Sequence, residues 1–353
     1  MQPTILSGIA MWSVWQPDRN LFFNSFFIEA DGGNYAVDPL ALSEADAAEI
    51  AARGGIAWIV VTNRDHERDA RAIAARFGAK IAAGEADAPL LSAPVDRLLC
   101  DGDTIGAARV LALDGVKTPG EFALHLPHLR AVVVGDALWG TPAGALRLMP
   151  DEKLADPPRA VLSLRKIAAA LPEHLLLGDG ACIFGGALPI LWSTLEARTD
   201  AYVNRINRDE GHWHGWPGHP PPYDGDEAFE IGDYIGARKL GYRLVRVAPG
   251  KSSCPLHWHL AEEELFVVMS GSAKLVSPRG EFALRAGDYV NFPTRPSGAH
   301  KIVNDGAQPC EVLMISNTDE REVCYYPDSR KLLIDPAGTI LRDHPVLDYF
   351  DGE

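Results

Sequence analysis

The sequence predicts two domains of different fold class, a layered α/β domain followed by an all-β barrel. The chain has 353 residues, enough for about two domains at roughly 150 residues each. Apolar runs alternate with helix-like segments over 1–200, a pattern typical of α/β folds. Over 228–353, short strand-like runs follow one another between Gly and Pro turns, which indicates an antiparallel sandwich or barrel with a C-terminal extension. A Pro/Gly/His-rich linker is predicted at 201–227.

The first domain contains apolar strands and helices with recognisable ends. Strands are predicted at 22–28, 34–37, 56–61, 131–134 and 175–177. The run at 56–61 is apolar without interruption, as expected of a strand that is buried on both faces. Ser43 is a good N-cap and predicts a helix that stops at Gly54. The next helix is predicted from His66 to Phe77, with Gly78 closing it.

Polar residues follow several of these strands, and the order of segments from about 20 to 198 resembles the metallo-β-lactamase family. The family carries Thr-His-x-His-x-Asp-His after an apolar strand, where this chain has Thr62-Asn63-Arg64-Asp65-His66-Glu67-Arg68. The family's Pro-Gly-His, Gly-Asp and Gly-His elements correspond to Asp114-Gly115-Val116, Gly135-Asp136 and Gly178-Asp179. The resemblance implies an αββα sandwich in which Asn63, Asp65 and Arg68 have replaced the metal-binding histidines.

The replaced histidines bear on activity. A dinuclear zinc hydrolase needs imidazoles to hold zinc and to lower the pKa of bound water. We therefore expect this domain to be a retained scaffold that serves assembly. One alternative is a residual oxygen-rich site for Mg²⁺ or another hard cation, with His66 only starting a helix. Its candidate residues are Asn63, Asp65, Glu67, Asp136 and Asp179.

The linker repeats the tripeptide His-Trp-His at 212–214. Its prolines and glycines cannot sustain a helix or a central strand, so an extended connection is expected. One hypothesis makes His212, His214 and His219 a second metal site or a lid over the barrel. The other makes the segment an ordered aromatic loop that packs against the barrel.

The second domain carries a set of possible metal ligands. His257 and His259 are two residues apart, so in an extended strand they point to the same side. Glu264 and His300 would complete three imidazoles and one carboxylate. Such a set suits a divalent transition metal and leaves coordination positions open.

The spacing of these residues resembles the two motifs of the cupin family. Gly250, His257, His259, Glu264 and Gly271 match the first motif, and Gly287, Pro293, His300 and Asn304 match the second. The chain departs from the family at Arg295, where Gly is usual, and at 296–298, which lengthens the turn before His300. The resemblance covers about 228–335 and implies a double-stranded β-helix, or jelly-roll barrel, with one divalent metal. Zinc, manganese, iron, nickel and copper all suit these ligands. Residues 325–331 resemble an element of a bacterial branch of cupins and are interpreted as a turn that seals the barrel.

The ligand set predicts chemistry on a small oxygenated metabolite. Open positions on the metal can bind substrate oxygens and stabilise charge on them, which supports isomerase, lyase or decarboxylase activity, or dioxygenase activity with iron. Strand alternation predicts a mostly apolar cavity around the metal. The alternative is a non-catalytic metabolite-binding or metal-binding cupin whose pseudo-hydrolase domain serves assembly. Residual hydrolase activity in the first domain is a third hypothesis.

Composition narrows the partners and the compartment. There are 33 Lys and Arg against 48 Asp and Glu, a net charge of −15, which argues against nucleic acid or an anionic membrane as partner. The five cysteines form no Cys-x-x-Cys pair, and no signal peptide or spanning apolar stretch is evident, so a cytoplasmic protein is expected. We expect a small-molecule ligand and, from the cupin resemblance, a homodimer.

Overall fold

The structure is a computed structural model that describes residues 1–343 and 345. It divides into two compact units, Met1–Asn204 and Arg205–Glu353. The last part of the predicted C-terminal extension lies outside the described residues. The predicted fold classes, an αββα sandwich and an all-β barrel, are confirmed.

The first unit is built on one long sheet with helices on both sides. Its strands are β1 (Gln2–Pro3), β2 (Ile9–Gln16), β3 (Leu21–Ile28), β4 (Tyr35–Val37), β5 (Trp58–Val61), β6 (Lys80–Gly84), β7 (Arg97–Leu99), β8 (Thr104–Ile105), β9 (Ala108–Ala112), β10 (Phe122–Leu126), β11 (Ala131–Gly140), β12 (Arg147–Leu148), β13 (His174–Gly180) and β14 (Ile183–Phe184). Its helices are α1 (Glu44–Ala52), α2 (Ala70–Phe77), α3 (Pro157–Ser163), α4 (Arg165–Ala169) and α5 (Ala187–Glu196).

The strand order explains the layers. It runs β7-β6-β5-β4-β3-β13-β11-β10-β9-β8, and β3 meets β13 at a single pair, Phe23 with Asp179. The sheet therefore has two halves, which pack face to face. Along β5, Val60 lies between the halves, whereas Ile59 and Val61 pack against α1 and α2. All three side chains are fully buried, as the sequence predicted for this strand.

The sequence predicted a helix that begins at His66, but the segment after β5 is not helical there. A 3-10 turn covers Arg64–His66, Arg68 has a positive φ of 44°, and α2 begins only at Ala70. The side chain of Asn63 caps the short turn by accepting from the Asp65 amide. The predicted end of α2 is confirmed, because Gly78 is left-handed.

Two residues predicted to follow strands lie inside strands instead. β11 continues past Asp136 to Gly140, and β13 continues past Asp179 to Gly180. The register between β11 and β13 shifts after Val134, so Asp136 lies where the pairing is irregular. A Cβ on Gly135 would lie 2.4 Å from Thr62 Oγ1, so only glycine lets β11 pass the end of β5 this closely.

Within its described residues, the second unit is composed of short strands and one short α-helix. The strands are β15 (His214–Gly215), β16 (Asp226–Phe229), β17 (Leu240–Val247), β18 (Trp258–His259), β19 (Glu264–Ser270), β20 (Ser272–Ser277), β21 (Gly280–Arg285), β22 (Tyr289–Phe292), β23 (Lys301–Val303), β24 (Cys310–Asn317), β25 (Val323–Tyr326), β26 (Lys331–Ile334) and β27 (Thr339–Arg342). The helix is α6 (Ile231–Ile235).

These strands form three sheets. Their orders are β15-β16-β17-β24-β19-β22, β18-β25-β26-β27 and β21-β20-β23. Phe266 and Val268 of β19 pack with Ile302 of β23 in the barrel core. Most of the predicted linker belongs to this unit, and its residues His214–Gly215 pair with β16 at the edge of the largest sheet.

In the part of the chain that the structure describes, no helix is both long enough and apolar enough to cross a membrane.

Candidate metal centre

Short pairings in the second unit bring the four predicted ligands together. His259 lies in β18 and Glu264 is the first residue of β19. His257 and His300 form an isolated antiparallel bridge, in which the His257 amide donates over 3.1 Å and the His300 amide over 2.9 Å.

Both departures from the cupin pattern lie in the turn before His300. Arg295 has a φ of 74°, a conformation that favours glycine, and its amide donates to the His259 carbonyl over 2.6 Å. The lengthened turn forms a 3-10 helix, Pro296–Gly298. The Gly298 carbonyl lies 2.9 Å from His300 Nδ1, so the insertion orients the His300 ring.

The ligand atoms face one another. Glu264 Oε2 lies 3.3 Å from His259 Nε2 and 3.1 Å from His300 Nε2. The centre of the His257 ring lies 5.0 Å from that of His259 and 4.5 Å from that of His300. The structure therefore brings all four predicted ligands to one place.

The far nitrogen of each ring fixes its tautomer. Nδ1 of His257 lies 2.9 Å from the Pro255 carbonyl, and Nδ1 of His300 contacts the Gly298 carbonyl. Nδ1 of His259 lies 3.1 Å from a carboxylate oxygen of Glu322. Carbonyl and carboxylate oxygens only accept, so each Nδ1 carries the proton and donates. In the neutral ring each Nε2 therefore keeps its lone pair, which is the form that binds a metal.

Three of these atoms have no hydrogen-bond partner among the described residues. They are His259 Nε2, Glu264 Oε2 and His300 Nε2, and all three are buried. Buried polar atoms are nearly always satisfied, and lone pairs 3.1–3.3 Å apart repel one another. A cation shared among them would remove both costs. The residues present therefore fit a divalent metal ion.

The ionisation of these groups is compatible with that fit. Burial raises the pKa of Glu264, but the contacts with His259 and His300 outweigh it and hold the pKa well below the usual range. Burial lowers the pKa of His300, so its imidazole is neutral near pH 7. For His257, burial is outweighed by Cys254 and Glu264, and the pKa rises to about 9. A metal must therefore displace a proton from His257.

A cavity of about 410 Å³ opens beside the ligands. Its apolar wall includes Phe266, as expected, and also Met314. The expectation of a mostly apolar cavity is nevertheless wrong, because many polar side chains from several strands and loops also line it. These are Asp226, Glu230, Tyr242, Arg243, Ser253, Cys254, Glu262, Ser316, Glu322, Cys324, Tyr326 and Asp335.

Sequence reasoning missed Glu322, which supports this site. Glu322 as a whole is 2% exposed. Its carboxylate accepts hydrogen bonds from His259 Nδ1 and from the amides of Leu260, Ala261 and Glu262. The three backbone contacts are 2.8–3.2 Å long. Glu322 lies far along the chain from the histidine motif. A possible clue was the alternation of Glu322, Cys324 and Tyr326, which places three polar groups on one face of a strand.

Two of the three linker histidines, His214 and His219, lie in aromatic contacts. Trp216 stacks on His219 with ring centres 5.9 Å apart, and its edge meets His214 at 5.1 Å. Among the described residues, His212, His214 and His219 belong to no group of donor atoms close enough to share a metal ion. These contacts favour the aromatic loop over a second metal site.

In the first unit, a second cluster forms around His66. Its Nδ1 lies 2.8 Å from Asp38 Oδ2, and its Nε2 lies 3.4 Å from Asp136 Oδ1 and 3.9 Å from Asp179 Oδ1. Burial lowers the pKa of His66, but Asp38 and Asp136 outweigh it and raise the pKa to about 10. His66 is therefore a buried cation at neutral pH, and the prediction that it only starts a helix is wrong.

Two further cations occupy this cluster. Lys117 Nζ lies 2.6 Å from Asp65 Oδ2 and 2.8 Å from Asp136 Oδ2. Arg68 Nη2 lies 3.4 Å from Asp179 Oδ1. Lys117 was not singled out from the sequence, because a basic residue is not a metal ligand. Its position shortly after the Asp114-Gly115-Val116 element was the available clue.

The predicted oxygen-rich site is only partly assembled. Asp65, Asp136 and Asp179 join the cluster around His66 and its cations. Glu67 does not, because its carboxylate accepts from the Ser92 amide and hydroxyl and from the Ala93 amide. Asn63 turns its side-chain oxygen back to the Asp65 amide.

Glu121 adds a buried acid that the sequence analysis also missed. One of its carboxyl oxygens accepts from the Ala137 amide, and the other has no partner among the described residues. Burial and the Asp136 carboxylate raise the pKa of Glu121 to about 8. Glu121 is therefore protonated at neutral pH.

Comparison with known proteins matches each unit to a different family. The sequence model of the metallo-beta-lactamase superfamily matches residues 4–193, and that of the cupin domain matches residues 243–316. Hydroxyacylglutathione hydrolase from Acidiphilium cryptum is 35% identical over 164 residues, which are 44% of this chain and 63% of the relative. The enzyme of the same name from Ruegeria pomeroyi is 31% identical over 159 residues, 43% of this chain and 59% of the relative. The chain thus spans less than two thirds of the length of these relatives.

Solved structures show likenesses to both units. A sugar phosphate isomerase of the cupin superfamily from Silicibacter pomeroyi is 25% identical, with a TM-score of 0.38, and the match covers 42% of this chain and 98% of that one. A metallo-beta-lactamase from Pontibacter korlensis is 13% identical, with a TM-score of 0.46, covering 56% of this chain and 98% of that one.

Proposed function

The chain belongs to the metallo-beta-lactamase superfamily through residues 4–193, but we propose that its activity resides in the cupin domain matched at 243–316. The proposed function is that of a metal-dependent enzyme that acts on a small oxygenated metabolite. His257, His259, Glu264 and His300 would hold the metal. The observation that carries the proposal is the convergence of buried, unpartnered Nε2 and carboxylate atoms on one place beside a cavity.

The bound metal would supply Lewis-acid stabilisation of negative charge on a substrate oxygen. The chain's own contribution is orientation. Backbone carbonyls and Glu322 hold the imidazoles with Nε2 turned inward, and Glu264 supplies one negative charge. Phe266 and Met314 restrict water on one side of the cavity.

Tyr326 is suited to orient the substrate. Its side chain lines the cavity, and its ring stacks on that of His257 with centres 5.9 Å apart. Burial raises the pKa of Tyr326, so its hydroxyl stays protonated and can donate a hydrogen bond to a substrate oxygen. The proposal covers isomerase, lyase and decarboxylase chemistry, and dioxygenase chemistry where the metal is iron.

The test begins with elemental analysis of the purified full chain, followed by a turnover screen on sugars, keto acids and diketones. We expect about one metal equivalent per chain in the wild type and its loss in His257→Ala/His259→Ala. His214→Ala is the matched control, because His214 is a histidine of the same unit that lies in the aromatic loop. Metal that persists undiminished in the double variant would move the site elsewhere and contradict the proposal.

Hydrolysis in the first unit is the second candidate, and the identity with hydroxyacylglutathione hydrolase favours it. Against it, Lys117, Arg68 and His66 place positive charges among the carboxylates. A thioester and lactone screen separates the two candidates. Turnover abolished by Asp136→Ala and kept in His257→Ala would support the hydrolase, and turnover with the reverse dependence would support the cupin site.

A non-catalytic cupin with a pseudo-hydrolase domain used for assembly is the third reading. It predicts stoichiometric metal, no turnover across the substrate panel, and a homodimer that dissociates when the first unit is perturbed. Light scattering on the wild type and on an Asp136→Ala variant measures the last of these.

A further inference from the structure

A strand beyond the cupin motifs packs against the proposed metal site. β18 pairs with β25 in antiparallel register, with His259 directly opposite Cys324. Residues directly opposite in an antiparallel pair point to the same side of the sheet. Cys324 therefore lies on the His259 side, and it is 4% exposed. This strand follows the part of the chain that the cupin model matches, 243–316.

Two neighbouring residues support that direction. Tyr326 lies in β25 two residues after Cys324, and Glu322 lies two residues before it, just ahead of the strand, so all three alternate toward one face. Glu322 contacts His259 Nδ1 over 3.1 Å, and the ring of Tyr326 stacks on that of His257. The face of β25 that carries Cys324 is thus the face turned toward the metal ligands.

The distances suit a shared ion. A ring nitrogen of His257, a ring nitrogen of His259 and Sγ of Cys324 all lie within 4.8 Å of one another. A metal ion takes nitrogen at about 2.1 Å and sulfur at about 2.3 Å, so two donors on one ion lie at most about 4.4 Å apart, and closer when they are not opposite each other. The three donors lie near this range and would draw together on a shared ion. The unpartnered His300 Nε2, on a fully buried side chain, independently indicates that a ligand belongs here.

We propose that Cys324 is an additional, thiolate ligand of the metal at this site. The inference rests on the proposed metal site and deepens it. On binding, the Sγ–H bond breaks, the proton passes to solvent, and a sulfur lone pair forms the bond to the metal. A thiolate among imidazoles favours zinc, cobalt, copper or iron over magnesium and manganese. It also makes metal loading sensitive to thiol oxidation.

Cys254 provides a matched control. It lines the same cavity, and its Sγ lies 3.6 Å from His257 Nδ1. That Nδ1 donates to the Pro255 carbonyl, and it is not Nε2, the ring nitrogen that would bind the metal. Cys254 is therefore a thiol in the same surroundings that does not face the ligand atoms.

The test is the absorption spectrum of the full chain, stripped of metal and loaded with cobalt(II). Cobalt bound through a thiolate shows strong sulfur-to-metal charge transfer in the near ultraviolet, whereas nitrogen and oxygen ligands give weak visible bands. We expect both features in the wild type and in Cys254→Ser. Cys324→Ser and Cys324→Ala are expected to lose the ultraviolet band and keep the visible ones.

The outcomes separate the inference from the proposed function. Visible bands without a Cys324-dependent ultraviolet band would leave the metal site in place and overturn the thiolate ligand. Absence of any cobalt spectrum, with the fold intact by circular dichroism, would overturn both. The two Cys324 variants guard against a single variant that fails to fold.

Discussion

The two units each gather acidic and histidine side chains at one place, but they balance the charge in opposite ways. In the second unit, lone pairs of imidazoles and a carboxylate face one another within 3.1–3.3 Å. In the first unit, Lys117, Arg68 and protonated His66 already contact the carboxylates. A group of potential ligands therefore indicates a metal where the compensating charge is a proton that the metal can displace, and not where lysine and arginine side chains already supply it.

Physical chemistry explains why the first cluster is self-sufficient. Opposite charges near 3 Å attract by several kcal/mol at the effective dielectric of a protein, less the cost of removing both from water. Lys117 bridges two carboxylates, so it provides the positive charge that a metal would otherwise bring. In the second cluster, Glu264 forms ion pairs only with histidines among the described residues, and the proton that His257 holds near neutral pH is one that a bound metal would displace.

The largest effect on metal binding is expected from a substitution at Glu264. Glu264→Gln keeps the shape of the side chain but removes the carboxylate charge of the ligand set. We expect the affinity for a divalent metal to fall more than about 100-fold, because loss of a ligand should exceed the roughly 10- to 100-fold loss that altering a ligand's hydrogen-bond partner causes. Competition with a chelating dye measures it. Glu263→Gln is the control, because Glu263 accepts from Asn291 outside the site, and equal losses in both variants would contradict the assignment.

Glu322 has a smaller predicted effect. Glu322→Gln should lower metal affinity by about 10- to 100-fold, because the amide can donate to His259 Nδ1 and favour the wrong tautomer. Titration calorimetry with the metal gives the affinity. Glu320→Gln is the matched control, since Glu320 is exposed and two residues away. Unchanged affinity in Glu322→Gln would show that the carboxylate does not position His259.

Replacing Lys117 tests whether the first cluster can be made to need a metal ion. Lys117→Met should cost about 1–3 kcal/mol of unfolding free energy, because Asp136 is left as a buried charge with less compensation. Millimolar Mg²⁺ or Mn²⁺ should then restore part of that loss. Thermal melts with and without the ion measure this in a His257→Ala/His259→Ala background, which removes the cupin site.

The control for that experiment is Lys166→Met, since the Lys166 amine contacts Asp101 and the Ala112 carbonyl and not the cluster. If the ion stabilises the wild-type protein as much as the Lys117 variant, Lys117 does not take the place of a metal in the first unit.

Glu121 gives an effect that depends on pH. Its pKa rises from 4.5 to about 8 in the folded chain, so between these values the folded state holds a proton that the unfolded state has released. Stability should therefore fall as pH rises through this window, by up to about 1.4 kcal/mol per pH unit. Denaturant unfolding from pH 5 to 9 tests it. Glu121→Gln should flatten the slope, and an unchanged slope would place the titration in another group.

The two units differ in how much of each site could be predicted from the sequence. His257, His259, Glu264 and His300 were predictable, because strand alternation and motif spacing act over short stretches of chain. Glu322 and Cys324 reach the same site through the pairing of β18 with β25, which sequence spacing does not encode. Non-local strand pairing is the reason that this part of the site was missed.

In the first unit the sequence indicated the place but not its content. Asp136 and Asp179 were correctly grouped, although they lie within strands rather than after them. The replaced histidines indicated that something had changed at the site. Only the structure shows that Lys117 reaches two carboxylates and that Glu67 turns away to Ser92.

Anomalous X-ray diffraction from crystals of the full chain tests the contrast between the units most directly. Data collected on both sides of the absorption edge of the bound metal locate that metal without prior assumptions. We expect an anomalous peak among His257, His259, Glu264 and His300 and none among His66, Asp136 and Asp179. A peak at the second group, or none at the first, would show that the contrast between the two units is wrong.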